Sequence, residues 1–223
     1  MTSEGLVMTD SSWLESIRTV LLKTENIIMI VAIGILVYLL WLTNPSRTRS
    51  TAGRRPVYTV TEIGVAVALS VILSMIRVYR MPQGGSVSLE MLPIFYIALR
   101  SGGGVGILAG LAFGLAKLLL GPYIVHPLQL ILDYPLAFAF LGLAGFFRKY
   151  QVIGIILGGL GRFAMHVVSG AVFFATYAPE GTNVWLYSAT YNASYMVPEL
   201  IISIFVMLVL GLGKRTRTSV RRG

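Results

Sequence analysis

Apolar residues gather into seven runs along this chain, at 26–42, 57–78, 89–99, 105–120, 128–147, 152–176 and 187–212, with short polar, Gly or Pro breaks between them. A helix crossing the hydrocarbon core of a bilayer needs about 20 mostly apolar residues. The pattern therefore predicts an all-α integral membrane protein with six or seven crossings. The run at 89–99 is short, so it is either a partial crossing or a helix joined closely to its neighbour around 101–104.

Composition agrees with a lipid environment: 56% of the residues are hydrophobic and 12% are charged, which excludes an ordinary soluble domain. The net charge of +9 does not signal nucleic-acid binding, because the cations stand beside the ends of apolar runs. Arg47, Arg49, Arg54 and Arg55 follow the first run, Arg148 and Lys149 separate two later ones, and Lys214, Arg215, Arg217, Arg221 and Arg222 lie near the C-terminus. That is topological charge, drawn to the anionic cytoplasmic leaflet. With the C-terminal tail cytoplasmic, alternation of the crossings puts every basic cluster, Arg100 included, on the same side. The other side then carries 81–88, 121–127, 177–183 and, with seven crossings, the N-terminus. The expected location is the cell membrane, multi-pass.

The run at 26–42 follows Glu4, Asp10, Glu15 and Glu25 rather than a basic segment, and no small-x-small cleavage site follows it. It reads as a retained helix, not a signal peptide. The linker at 43–56, rich in Ser, Thr, Arg and Pro, marks a boundary. Residues 1–56 are expected to form an N-terminal extension with an extra transmembrane helix and a basic linker, and 57–223 one membrane unit. The chain has no cysteine, which excludes disulfides and thiolate metal sites.

Small residues recur at four-residue spacing at Gly106, Gly110 and Gly114, at Gly154 and Gly158, and at Gly64 and Ala68. Each set makes a flat strip on one helix face where another backbone can approach. Such a strip serves either packing within the chain or docking of another protein.

Asp133 sits among Leu130, Ile131, Leu132 and Pro135. A carboxylate at that depth costs at least about 2.5 kcal/mol, so it must face the interior and have a partner. The residues leave two choices open: a cationic or nitrogen-donor ligand, or a structural ion pair with Arg162 or Lys117. Arg162 and His166, four apart, share a helix face, and Gly170 follows by four, which would leave open space above the imidazole. Phe173, Phe174, Tyr177, Trp185, Tyr187, Tyr191 and Asn192 follow. Trp185 and Tyr195 equally suit an interfacial belt. Ring faces, a carboxylate, an imidazole and an amide together suit a flat, partly cationic heteroaromatic solute. The sequence contains no H-E-x-x-H, G-x-S-x-G or Walker motif, so no enzyme, cofactor or metal site is expected.

Two segments carry a resemblance: LDYPLAFAFLGLAG (132–145) and GRFAMHVVSGAVFFATYAPEG (161–181), followed by Tyr187 and Asn192. They resemble the thiamine-specific substrate-binding subunits, or S components, of energy-coupling factor (ECF) vitamin importers, the ThiT family, over about 57–212. The resemblance implies a six-helix membrane bundle with thiamine near its outer face under a lid between the first two helices, and an energising module of a membrane coupling subunit and two ATPases as partner. It places the ligand-binding acid at Asp133 with Tyr134 beside it, the entry tyrosine at Tyr123, the imidazole at His166 and the glycine at Gly170. The stacking aromatic falls at Phe174, the final Tyr and Asn at Tyr187 and Asn192, and the coupling strip at Gly64 and Ala68.

The chain departs from that pattern in three ways. Asp133 stands where Glu is usual, Phe174 where Trp is usual, and the lid at 81–88 has no tryptophan. The function that the resemblance implies is capture of thiamine from outside and delivery inward with an ATP-driven module, and the departures bear on which cargo fits. The alternatives are a different vitamin or a thiamine precursor as cargo, a structural scaffold, or an intramembrane enzyme using Asp133 and His166 as acid and base.

Overall fold

A computed structural model describes residues 56–210, and the extra N-terminal helix expected at 26–42 lies outside them. Six helical segments follow in order among the described residues. They are α1 (Pro56–Met75), α2 (Leu92–Ser101), α3 (Gly103–Lys117), α4 (Pro127–Phe146), α5 (Gln151–Phe173) and α6 (Val184–Val209). A two-stranded antiparallel hairpin, β1 (Tyr79–Arg80) and β2 (Ser86–Val87), lies between α1 and α2 with Tyr79 opposite Val87. Each apolar run from 57 onward thus becomes a helix. Three of them, α4, α5 and α6, are long and apolar enough to cross a membrane, while the apolar part of α1 (Thr59–Met75), α2 and α3 are shorter.

The short run at 89–99 resolves as a helix joined to its neighbour. α2 spans 10 residues, about 15 Å at 1.5 Å per residue, and only Gly102 separates it from α3. Gly102 has φ 107°, a left-handed conformation that glycine adopts without steric cost. Arg148 donates to the carbonyls of Leu99 and Arg100 at the end of α2, satisfying groups that the terminated helix leaves unpaired.

The core sits where α2, α3, α4 and α5 meet, around Phe95, Phe113, Phe138, Leu141 and Ile155. The glycine strips explain how these helices close. A side chain on Gly110 would strike the Phe138 carbonyl, and one on Gly114 would come within 2.6 Å of Pro135 Cα and Tyr134 O. Gly154 and Gly158 lie in the same way against Ala144 and Leu141. These two strips are packing surfaces within the chain. Gly64 and Ala68 are exposed on α1, with nothing within 4 Å of the position a Gly64 side chain would take.

In the middle of α4 the helix widens to a π turn at Leu132–Leu136. Pro135 lies within it and has no N–H to donate to an earlier carbonyl, so the regular ladder is interrupted there. Asp133 and Tyr134 occupy this turn.

Candidate functional site

One end of the bundle holds a cavity of about 180 Å³, partly open to the outside. Its wall comes from the hairpin (Gln83 to Ser86), the α3–α4 loop (Gly121 to Tyr123), α4, α5, the turn after α5 and the first half of α6. The three loops grouped on one side by the alternation of charges therefore contribute to a single site. The basic residues Arg100 and Arg148 come together at the helix ends elsewhere, joined by the Arg148 contacts to the end of α2. All eight residues expected at a ligand site, Tyr123, Asp133, Tyr134, His166, Gly170, Phe174, Tyr187 and Asn192, line the cavity.

At its centre His166 Nδ1 lies 3.0 Å from Asp133 Oδ1. On the other side of the ring Arg162 Nε donates to His166 Nε2 at 3.4 Å. That donor direction leaves the ring proton on Nδ1, from which it is given to Asp133. The second carboxylate oxygen accepts from Gln129 Nε2 at 2.7 Å. Gln129 is buried and also bonds the α3–α4 loop, donating to Tyr123 O and accepting from Val125 N, each at 3.1 Å. Gln129 and Asp133, one helical turn apart, thus fix both the acid and the loop that carries Tyr123.

The structural ion pair considered for Asp133 does not form. Arg162 instead pairs with Glu90 at 3.1 Å and Glu199 at 3.3 Å, and Lys117 pairs with Glu90 at 2.8 Å. Glu199 also accepts from Ser88 Oγ at 2.9 Å, and the Arg162 guanidinium lies 4.4 Å from the Phe138 ring centre. Glu90 and Glu199 were not singled out from the sequence, although each lies within an apolar run and the rule that exposed Asp133 applies to both. These two acids offset the two cations, so no side-chain cation among the described residues neutralises Asp133.

Aromatic rings wall the upper cavity. Tyr123 and Phe174 stack at 5.9 Å, and Tyr187 and Tyr191 are 6.2 Å apart. The Tyr123 and Tyr177 hydroxyls lie 2.9 Å apart; that bond raises the Tyr123 phenol above the usual tyrosine range. Tyr134 Oη accepts from Tyr123 N at 2.9 Å. The hairpin closes over the rings. Tyr191 Oη donates to Gly84 O and accepts from Gln83 N, both at 3.0 Å. Gly84 and Gly85 turn with φ of 95° and 86°, and a side chain on Gly85 would meet the Tyr195 ring.

One expectation needs correction and one open choice is decided. The space beside Gly170 is not open, because a side chain there would collide with Ser188 Oγ of α6; the glycine lets α5 and α6 close on each other. Tyr195 is not interfacial: it is 3% exposed and donates to Asn192 Oδ1 at 2.6 Å. Asn192 Nδ2 in turn donates to Ser188 O at 2.9 Å and to His166 O at 3.3 Å. The amide expected at a ligand's edge therefore spends its donors within α6, on Ser188, and across to α5, on the His166 carbonyl.

The family described as thiamine transporter protein (Thia_YuaJ) matches residues 60–218. The chain is 45% identical over 168 residues to the thiamine transporter ThiT of Bacillus subtilis (strain 168), covering 67% of this chain and 88% of that protein. It is 35% identical over 140 residues to the ThiT of Lacticaseibacillus paracasei, covering 54% and 70% respectively. A solved structure of ThiT from Listeria monocytogenes superposes with a TM-score of 0.67 at 28% identity, covering 74% of this chain and 98% of that one.

Proposed function

The chain belongs to the thiamine transporter family, and from that premise we propose that the cavity at the end of its bundle is where thiamine binds. It is a membrane-embedded transport protein, not an enzyme. The observation that supports the site assignment is the state of Asp133: a partly buried carboxylate whose partners are Gln129 and His166, with no Lys or Arg side chain against it, beneath a wall of aromatic rings. Thiamine is a monocation with two flat rings. An unneutralised acid provides the charge, and the faces of Tyr123, Phe174 and Tyr187 provide stacking and cation–π attraction.

In this reading Asp133 and His166 hold the ligand's polar edge, Tyr134 and Gly170 shape the wall, and Asn192 keeps His166 in place. The finer reading is the role of an S component. The protein captures thiamine from outside and hands it inward when an ECF module of a coupling subunit and two ATPases acts on it, with Gly64 and Ala68 as the docking strip. The open outward position of that strip on α1 supports this, and so does a sequence without a Walker motif. The C-terminus is then cytoplasmic and the N-terminus outside.

Calorimetric titration of the purified full chain with thiamine tests the site. Saturable one-to-one binding that weakens in Asp133→Asn is expected. Binding that the substitution leaves unchanged would place thiamine elsewhere.

A further inference from the structure

Ser169 lines the cavity, is 1% exposed, and its Oγ has no hydrogen-bond partner. A serine within a helix usually satisfies its hydroxyl on the carbonyl one turn earlier, as Ser203 does with Glu199 O. Ser169 does not. A hydroxyl buried without a partner carries a desolvation cost, and a native chain that keeps one at a site wall has a use for it. Its position says which use. Arg162, His166, Ser169 and Gly170 fall at i, i+4, i+7 and i+8 along α5, the spacing of one helix face, and all four line the cavity. Three polar side chains that line the cavity along with Ser169 are already engaged. Asn192 is spent on Ser188 and His166, Ser188 Oγ on Val167 O, and Arg162 on the two glutamates and the imidazole.

We propose that Ser169 is a specificity-determining contact, its hydroxyl reading a hydrogen-bonding edge of the ligand beside His166. Resting on the thiamine reading above, the inference goes further and names the edge as the aminopyrimidine. The thiazolium ring itself carries a quaternary nitrogen and offers neither a donor nor a strong acceptor, and the one hydrogen-bonding group of that half is a hydroxyl on a flexible ethyl arm. The aminopyrimidine offers an amino donor and ring-nitrogen acceptors, and a hydroxyl can serve either.

The test separates this role from a structural one, because the two predict opposite effects on the empty protein. Ser169→Ala removes an unsatisfied buried polar atom, so the thermal midpoint of the ligand-free full chain in detergent should hold or rise. Thiamine affinity by calorimetry should fall about 5-fold to 10-fold, the usual worth of one neutral hydrogen bond. Competition with the two halves of the vitamin locates the contact: the aminopyrimidine half should lose affinity by a similar factor and the hydroxyethylthiazole half should not. Ser169→Thr, which keeps a hydroxyl, should retain more affinity than the alanine variant. The proposal is overturned if Ser169→Ala binds thiamine as the wild type does. A loss that follows the thiazole half, or one matched by a fall in the midpoint of the empty protein, overturns it as well. Absence of thiamine binding to the wild type would defeat the underlying thiamine reading instead, a result read in the first titration.

Discussion

Asp133 on α4 and His166 on α5, 33 positions apart in sequence, share a hydrogen bond of 3.0 Å inside the cavity. The bond has its meaning from what flanks it. Gln129 holds one side of the acid and Arg162 holds the far side of the ring, so the pair is set in place before any ligand arrives. Preorganisation of this kind reduces the ordering cost of binding.

Asp133→Asn keeps the shape of the side chain and removes its charge. Thiamine affinity is expected to fall about 10-fold to 100-fold, equivalent to the ~1.5–3 kcal/mol of a hydrogen bond to a charged group. Calorimetry reads this directly, and a change under twofold would remove Asp133 from the site.

Phe174 stacks on Tyr123 where relatives are expected to carry Trp. Phe174→Trp enlarges the ring face and should tighten thiamine binding roughly 2-fold to 10-fold, in line with the ~0.5–1.5 kcal/mol of an aromatic contact. Weaker binding would show that this ring does not stack on the ligand.

Tyr191 latches the hairpin through one hydroxyl that both donates and accepts. Tyr191→Phe should raise the thiamine dissociation rate several-fold, since each such bond is worth about 1 kcal/mol, with a smaller change in association rate. Stopped-flow mixing separates the two rates. An unchanged dissociation rate would mean that the latch does not retain ligand.

Gly170→Ala forces a side chain onto Ser188 Oγ and is expected to cost about 1–3 kcal/mol, the usual range for overpacking. Ser188→Ala on the same background should recover part of the loss, because residues in contact are not additive. Thermal unfolding of the single and double variants decides; strictly additive effects would deny the contact.

Glu90→Gln leaves Arg162 and Lys117 short of a shared partner at a buried position. Stability should drop by about 3–5 kcal/mol, as for other broken buried pairs. The half-exposed pair of Glu62 with Arg100 at 4.0 Å serves as the control, where Glu62→Gln should change stability by no more than about 1 kcal/mol. Equal effects at the two places would contradict the burial argument.

The helices were legible because lipid demands long apolar runs, and each run after the linker became one. Asp133 and His166 were legible because ionisable groups at membrane depth are expensive and scarce. Glu90 and Glu199 meet the same criterion, and the rule applied to every acid within an apolar run reaches them too. Gln129 gave no such signal: a neutral amide is inexpensive enough to be unremarkable, and its importance comes from reaching the acid and the loop together. The closed space at Gly170 could not be read from spacing, since it depends on how near α6 comes to α5. The hairpin was equally hidden, with strands of two residues too short to show alternation.

Arg162 and His166 both ride on α5, while the groups they hold, Glu90 at the root of the hairpin, Asp133 on α4 and Glu199 on α6, belong to other parts of the bundle. A shift of α5 against those neighbours would strain the bond to Asp133 and the bonds to Glu90 and Glu199 together. One helix thus carries the cation that balances two buried acids and the ring that holds a third, so the charges beneath the cavity share a single mount.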